Sequence, residues 1–300
     1  MRSSTIKVIV NPAAGGGRTG RIWPRIMDMF QGQGLGFEHD ITEAPGHAVE
    51  LARDAARKGF EMVVAVGGDG TINEIVNGLY AAGGISSIAL GIISTGTGGD
   101  YIRTIGIPRR YEDACRCLLQ PRKITVDLGV AEYEHNGRRT ERLFVNFAGM
   151  GFDAEIVRRT TQQFKSLGSL PSYLLGTFVT LLTYRNRDIT LVIDGEAVDR
   201  RVCTVIMNNG RYGGGGMHTA PGASVNDGLF DVLIIDDLGK LDLLWSLPRI
   251  CKGTHLTHPK VTLKQAREIE VSSRDEGMCL QADGELLGHL PARSASCPRF

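Results

Sequence analysis

Hydrophobic positions in the first 126 residues alternate between two periods. Short apolar runs at Ile6–Val10, Phe37–Ile41, Met62–Val66 and Ile88–Ile93 read as strands, and Met62–Val66, apolar throughout, suits one covered on both faces. Between them lie helix-like stretches: around Ile22–Phe30, the alanine-rich Ala48–Arg57, and Ile72, Ile75, Val76 and Leu79 at i, i+3, i+4 and i+7. Repeated strand–loop–helix units predict a parallel sheet with helices on both faces. Loops that follow such strands gather at one edge, where ligands bind. All four here are polar or glycine-rich, which points to one crevice.

After Val126-Asp127 the texture changes. Ile189–Ile193, Arg201–Met207, Leu229–Ile235, Val261–Leu263, Ile269–Val271 and Met278–Ala282 look like short strands, with Asp194-Gly195 as one hairpin turn. Leu167–Tyr184 and Leu241–Cys251 interrupt them as apolar, helix-like segments. Leu174–Leu182 is apolar nearly all round and reads as a core helix, with a lipid-facing wall as the second reading. The expectation is an α/β domain over 1–126 and a β-rich domain over 127–300.

Composition narrows the function. With 42% apolar residues both domains can build cores. Basic and acidic residues balance at 34 against 33, so nucleic acid is not the expected partner. No apolar run approaches the roughly 18–20 residues of a spanning helix, and the start carries no secretory signal pattern. Six scattered cysteines without a C-x-x-C pair fit a reduced, cytoplasmic chain. Glycine is the outlier, with 39 residues, many of them clustered in the loops.

Gly15-x-Gly17-x-x-Gly20 matches a dinucleotide pattern, with Asp40 ending the second strand, but Asn11-Pro12 intervene before the glycines. A phosphate or adenosine contact is the better reading. Gly67-Gly68-Asp69-Gly70-Thr71 is more informative. Its glycines let backbone N–H groups approach phosphate oxygens at a helix N-terminus. Asp69 would repel a bare phosphate, so it suits a magnesium-bound water or a ribose hydroxyl; the simpler reading is a helix cap. Thr95–Asp100 repeats the logic on the next strand, and Asn73 and Glu74 fall on the adjoining first helical turn. No G-x-x-x-x-G-K-[ST] occurs. Pro221–Leu229 sets one acid, Asp227, among turn carbonyls, either a hard-cation site or an Asp-Gly turn. Asp-Gly-Glu occurs at 194–196, read as a turn, and at 283–285, where Asp283 and Glu285 could offer a base. His255 and His258 read as surface residues.

Taken in order, Val10-Asn11-Pro12 with Gly15–Arg18, Gly67–Thr71 with Asn73-Glu74, Gly96–Asp100, Gly213–Gly216 with Pro221, Asp227-Gly228 and Asp283–Glu285 resemble the diacylglycerol kinase catalytic-domain family. The match is collinear over residues 5–291. The resemblance implies an NAD kinase/phosphofructokinase-like first domain, a β-sandwich second domain, and ATP with Mg2+ in the cleft between them. It implies a nucleotide site of Asn11, Thr42, Gly68, Asp69, Gly70, Thr71, Asn73, Glu74 and Thr97, with Asp100 in the magnesium network. Asp227 with the carbonyls of Ser224 and Leu229 would hold a structural cation, and Asp283 with Glu285 would supply the general base. The substrate would be a lipid alcohol met during transient, peripheral contact with the inner face of the membrane, with 174–182 and 241–251 as apolar wall. A homodimer stays open. NAD kinase, an NAD(P)-dependent oxidoreductase and a catalytically weak lipid-binding regulator are the alternatives.

Two positions depart from the family pattern. Gly99 stands where Asn is usual, trading a side-chain amide for backbone freedom. At the end, Ser294-Ala295-Ser296-Cys297-Pro298 stands where the family has an apolar Phe-x-Val-x-Pro strand, and codons that allow this peptide (TCA GCG TCC TGC CC) read Phe-Ser-Val-Leu-Pro when one T is placed in front. The expectation is a frameshift that removes the last strand and leaves the final residues disordered.

Overall fold

In the computed structural model, which describes residues 5–135, 137–163, 169–273 and 277–297, the chain divides between Val126 and Asp127 into two compact units. Four parallel strands form the sheet of the first: β1 (Ile6–Val10), β2 (Glu38–Ile41), β3 (Met62–Gly67) and β4 (Ala89–Ser94), in the order β2-β1-β3-β4. Five helices follow them in turn, α1 (Arg18–Gly32), α2 (His47–Arg57), α3 (Asp69–Ala81), α4 (Asp100–Ile105) and α5 (Tyr111–Leu119). Val8, Val10, Val64 and Val66 point to one face, where Trp23, Ile26 and Phe30 of α1 and Cys115 of α5 cover them. Ile9, Val63 and Ala65 point the other way and are equally buried, beneath α2 and α3. Gly78 makes that second layer tight: a Cβ there would lie 2.3 Å from the Val49 carbonyl oxygen.

The second unit contains β5 (Leu128–His135), β6 (Arg138–Phe144), β7 (Phe147–Gly151), β8 (Arg187–Ile193), β9 (Glu196–Asn208), β10 (Phe230–Asp236), β11 (Val261–Ala266), β12 (Glu268–Ser273), β13 (Cys279–Ala282) and β14 (Glu285–Cys297). Two long strands change partners midway. The first half of β9 pairs with β8 and its second half with β7 and β10. Similarly, β14 pairs first with β13 and then with β12. Strands shared in this way join two layers into one sandwich, and the ladder β9-β7-β13-β14-β12-β8 returns to β9. Phe144, Leu191, Met207, Phe230, Ile269 and Leu280 fill the space between the layers. Helices α6 (Phe152–Gln162), α7 (Ser169–Thr183) and α8 (Lys240–Lys252) contribute to a second cluster over β9, β10 and β11.

Two expectations are corrected here. Within the described residues the tail is not disordered: Ala292–Ala295 pair with β12 while Ala292–Cys297 pair with β5. Backbone hydrogen bonds on both edges hold this strand whatever its side chains, so small polar residues are tolerated. Residues 298–300 of the tail lie outside the described residues. Nor is α7 a core helix: Leu181 and Thr180 are buried, but Leu174, Phe178 and Leu182 are exposed.

Ser294 is the weak point of this strand. It is fully buried between Ala131 and Ile269, and its hydroxyl has no hydrogen-bond partner among the described residues. A buried unsatisfied hydroxyl costs about 1–3 kcal/mol. Ser294→Ala should therefore raise stability by about 1–2 kcal/mol, seen as a higher urea midpoint at unchanged slope.

Candidate functional site

At the C-terminal edge of the parallel sheet the four loops are tied to one another through backbone and side chains. Thr42 N–H donates to the Val10 carbonyl, Asn11 N–H to Val66 and Thr95 N–H to Gly67, at 2.8–2.9 Å. Asn11 Nδ2 donates to Thr71 Oγ1 at 3.0 Å, while its Oδ1 accepts the Ala13 N–H. Glycine is required where loops touch. A Cβ on Gly96 would lie 2.7 Å from the Gly68 Cα, and one on Gly15, already at φ 62°, would lie 2.5 Å from the Thr95 carbonyl oxygen.

Asp69 sits at the centre of this edge. Its Oδ2 accepts the N–H groups of Gly99, at 2.9 Å, and Asp100, at 3.4 Å, which fixes the start of α4. Its Oδ1 is buried and has no hydrogen-bond partner among the described residues. Asp100 lies close by, buried, with the Arg103 guanidinium 3.9 Å away. Thr71 is buried at the start of α3, and Gly70 and Thr97 are exposed. Gly99 takes the left-handed conformation, φ 64°, that Asn tolerates best after glycine, and a Cβ there would meet Ile102 only at 3.5 Å. The departure at Gly99 thus leaves the loop's backbone path intact.

Not every expected nucleotide ligand is free. Glu74 caps α2: its two oxygens accept the N–H groups of Gly46 and Ala48 at 3.0 and 3.2 Å. Asn73 is buried and receives the Asn77 amide. Asp40 pairs with buried Lys7 at 2.8 Å.

In the second unit the two Asp-Gly-Glu turns have the same build. Asp194 and Asp283 have φ of 48° and 49°, and each carboxylate receives backbone N–H groups of a neighbouring segment. Asp194 Oδ1 accepts Arg267 and Glu268. Asp283 accepts Val145 at 2.7 Å, and Asn146 and Phe147 at 3.0 Å. Each Asp returns its own N–H to that segment, to the carbonyls of Glu268 and Phe147. Both glutamates are exposed, and Glu285 is held at 2.5 Å by Arg142; its charge, after burial, raises the Tyr133 hydroxyl pKa. Asp153 was not anticipated. It bonds Thr204 and Gln281 at 2.7 and 2.9 Å, and burial pushes its carboxyl up. Gln281 in turn accepts the Gly284 N–H, so this network braces the 283–285 turn. Gly149 was the available signal, because a Cβ there would collide with the Asp153 carboxylate. His255, read as a surface residue, is buried against the Thr219 carbonyl, and burial lowers its pKa.

The Asp227 turn is closed by its own acids. Asp227 Oδ1 accepts the Leu229 N–H, Ser224 Oγ donates to Asn226, and Asp127 accepts the Gly228 N–H at 2.6 Å. Burial and the charge of Asp227 raise the Asp231 carboxyl pKa, a field that suits a cation. No group of three or more His, Cys, Asp or Glu side chains placed to hold a metal occurs among the described residues. A cation here would therefore rest on Asp227 and carbonyls. Near Asp69 the fit is better, since the orphaned Oδ1 is a buried anionic acceptor and magnesium held by phosphates needs only one or two carboxylates.

Residues 5–131 match the diacylglycerol kinase catalytic domain, and residues 146–300 match the YegS C-terminal NAD kinase beta sandwich-like domain. A relative named diacylglycerol kinase from Bacillus subtilis (strain 168) is 30% identical over 95% of this chain and 91% of its own length. The chain belongs to the diacylglycerol kinase family. A second relative of that name, from Staphylococcus carnosus (strain TM300), is 26% identical over 95% of this chain and 90% of its own. The fold is shared with a crystal structure of a putative diacylglycerol kinase from Bacillus anthracis str. Sterne, at TM-score 0.78 and 24% identity over 99% of this chain and 95% of that one.

The twin turns predict how their acids divide. Asp283→Ala removes three charge-assisted backbone hydrogen bonds and should cost about 2–4 kcal/mol, with Asp194→Ala close behind. Glu285→Ala, losing one exposed ion pair, should cost under about 1 kcal/mol. Urea unfolding of the three variants checks the order.

Proposed function

We propose that this chain transfers the γ-phosphoryl group of Mg-ATP to the hydroxyl of a diacylglycerol-like lipid. One observation carries the reading within the family: Asp69, on the glycine-rich edge of the parallel sheet, has one oxygen held in place and the other buried without a hydrogen-bond partner among the described residues. Phosphoryl transfer needs alignment and charge neutralisation more than covalent chemistry. Gly68, Gly70 and the α3 N-terminus offer backbone N–H groups to phosphate oxygens, while Asn11, Thr71 and Thr97 line the same edge. Thr42, Asn73 and Glu74 hold the adjoining loops, Glu74 through its cap on α2. Asp69 and Asp100 would hold the magnesium ion, which supplies neutralisation of phosphate charge when bound.

The lipid hydroxyl gives its proton to a carboxylate of the 283–285 turn. Glu285 is exposed and has one cationic neighbour, whereas Asp283 is engaged by three backbone N–H groups. Asp227 with the carbonyls of Ser224 and Leu229 would hold a cation that stiffens its turn. The reaction takes place at a membrane surface. No helix among the described residues is long and apolar enough to cross one.

Labelled γ-phosphate transfer from Mg-ATP to diacylglycerol, sphingoid base, monoacylglycerol, undecaprenol, phosphatidylglycerol and NAD tests the reading. A labelled diacylglycerol-like product is expected. Asp69→Asn should lower kcat by about 100-fold or more, and Glu285→Gln by about 100-fold. Label on NAD alone would move the substrate class, and no labelled lipid at all would overturn the reading.

A further inference from the structure

Helices α7 and α8 pack on each other, and each has an apolar face in the core and a second one outside it. From α7, Tyr173 and Leu181 join the cluster over the sheet; from α8, Leu243 and Ile250 do so. The opposite faces are not spent. Leu174 and Phe178 of α7 are 60% and 58% exposed, and Leu182 continues the stripe at i, i+4 and i+8. On α8, Leu241 and Trp245 are 74% and 77% exposed, with Leu244 beside them. No residue of α8 is fully buried. An isolated surface leucine needs no explanation, but six large apolar side chains on two adjoining helices form a patch that does.

Its surroundings are cationic. Lys240, Arg249 and Lys252 are exposed along α8 against one acid, Asp242. Lys240 Nζ donates to the Leu182 carbonyl, which puts that charge at the C-terminal end of the α7 stripe. Just past that end, a cavity of about 420 Å³ is lined by Arg158, Arg159, Arg185, Arg187 and His289. Among its described lining residues Glu155 is the one acid, bonded to Arg158 and Arg159 at 2.7–2.8 Å, against four arginines.

We propose that the outer faces of α7 and α8 form a docking surface for an anionic bilayer, with the arginine-lined cavity at the end of α7 receiving lipid headgroup phosphate. The partner rests on the lipid-kinase reading; the surface rests on the exposed residues themselves. Helices with one apolar and one cationic border lie in the plane of the interface, with the apolar side chains at the acyl boundary and tryptophan at headgroup level. Arginine forks match phosphate oxygens. The alternative occupant is a second copy of this chain.

The sequence carries its own probe, since the chain has two tryptophans and Trp23 is buried in the first unit. With phosphatidylglycerol vesicles, Trp245 emission should shift to the blue, acrylamide quenching should fall, and the protein should sediment with the lipid. Phosphatidylcholine vesicles should give a much weaker response. Leu244→Glu should weaken vesicle binding about tenfold or more at an unchanged melting temperature, and Arg185→Ser should reduce the preference for anionic lipid. No shift and no co-sedimentation would overturn the proposal. So would a dimer in sedimentation velocity that Leu244→Glu converts to monomer, because the patch would then join two copies. Equal binding to both lipids would overturn the headgroup role of the cavity. Phosphorylation of a short-chain diacylglycerol dissolved as monomers reads the function separately: activity there without vesicle binding sinks the docking surface alone, and binding without activity sinks the kinase reading alone.

Discussion

Carboxylates set against unpaired backbone N–H groups recur at every turn that matters in this chain. Asp69 holds Gly99 and Asp100, Glu74 holds Gly46 and Ala48, Asp194 holds Arg267 and Glu268, and Asp283 holds Val145, Asn146 and Phe147. Asp127 does the same for Gly228. The N–H groups at loop starts and helix ends have no ladder partner, and an ionised acceptor satisfies them at about twice the strength of a neutral one. Loops rich in glycine lose much entropy on ordering, and these clamps offset it. An acid that looks catalytic in such a protein is first a fastener, and chemistry falls to whichever oxygen the fastening leaves over.

That explains how far the site could be read from its residues. Spacing located the edge: Asn11, Gly68, Asp69, Thr71 and Asp100 belong to neighbouring loops because parallel strands order their C-terminal ends together. It did not separate Glu74, whose position on the first helical turn is compatible with facing either the crevice or α2. Two identical tripeptides suggest different work, yet Asp194 and Asp283 share one turn geometry, and what sets the second turn apart is a third backbone N–H on Asp283 and the Arg142 pair of Glu285. Such a distinction depends on Arg142 and Tyr133, which are remote in sequence. Asp153 was hidden for the same reason, since its partners Thr204 and Gln281 come from distant strands.

The fold was more legible than the site. Most strand and helix positions of the first unit follow from period alone, because β1, β3 and the end of β4 are buried on both faces, whereas β2 at the sheet edge is largely exposed. In the second unit, Arg201–Met207 was only the buried half of β9, whose exposed first half pairs with β8. The terminal strand was illegible for a deeper reason. Ser294, Ala295 and Ser296 carry no strand pattern, and their structure comes from two flanking strands that offer hydrogen bonds to any backbone placed between them. A side-chain pattern cannot report order that is imposed from outside.

The position of β14 has a consequence for biosynthesis. It is the last strand of the described chain, and it lies between β12 and β5, the first strand of the second unit. The ribosome therefore releases β5 long before this partner exists, although β6 can pair with its other edge at once, and the layer cannot close until the residues after Glu285 have emerged. Contacts of such large sequence separation form slowly, because loop closure must precede any reward. The parallel-sheet unit can fold during synthesis, whereas the sandwich waits with the edge of β5 open, the stage at which a nascent chain is most exposed to misassembly.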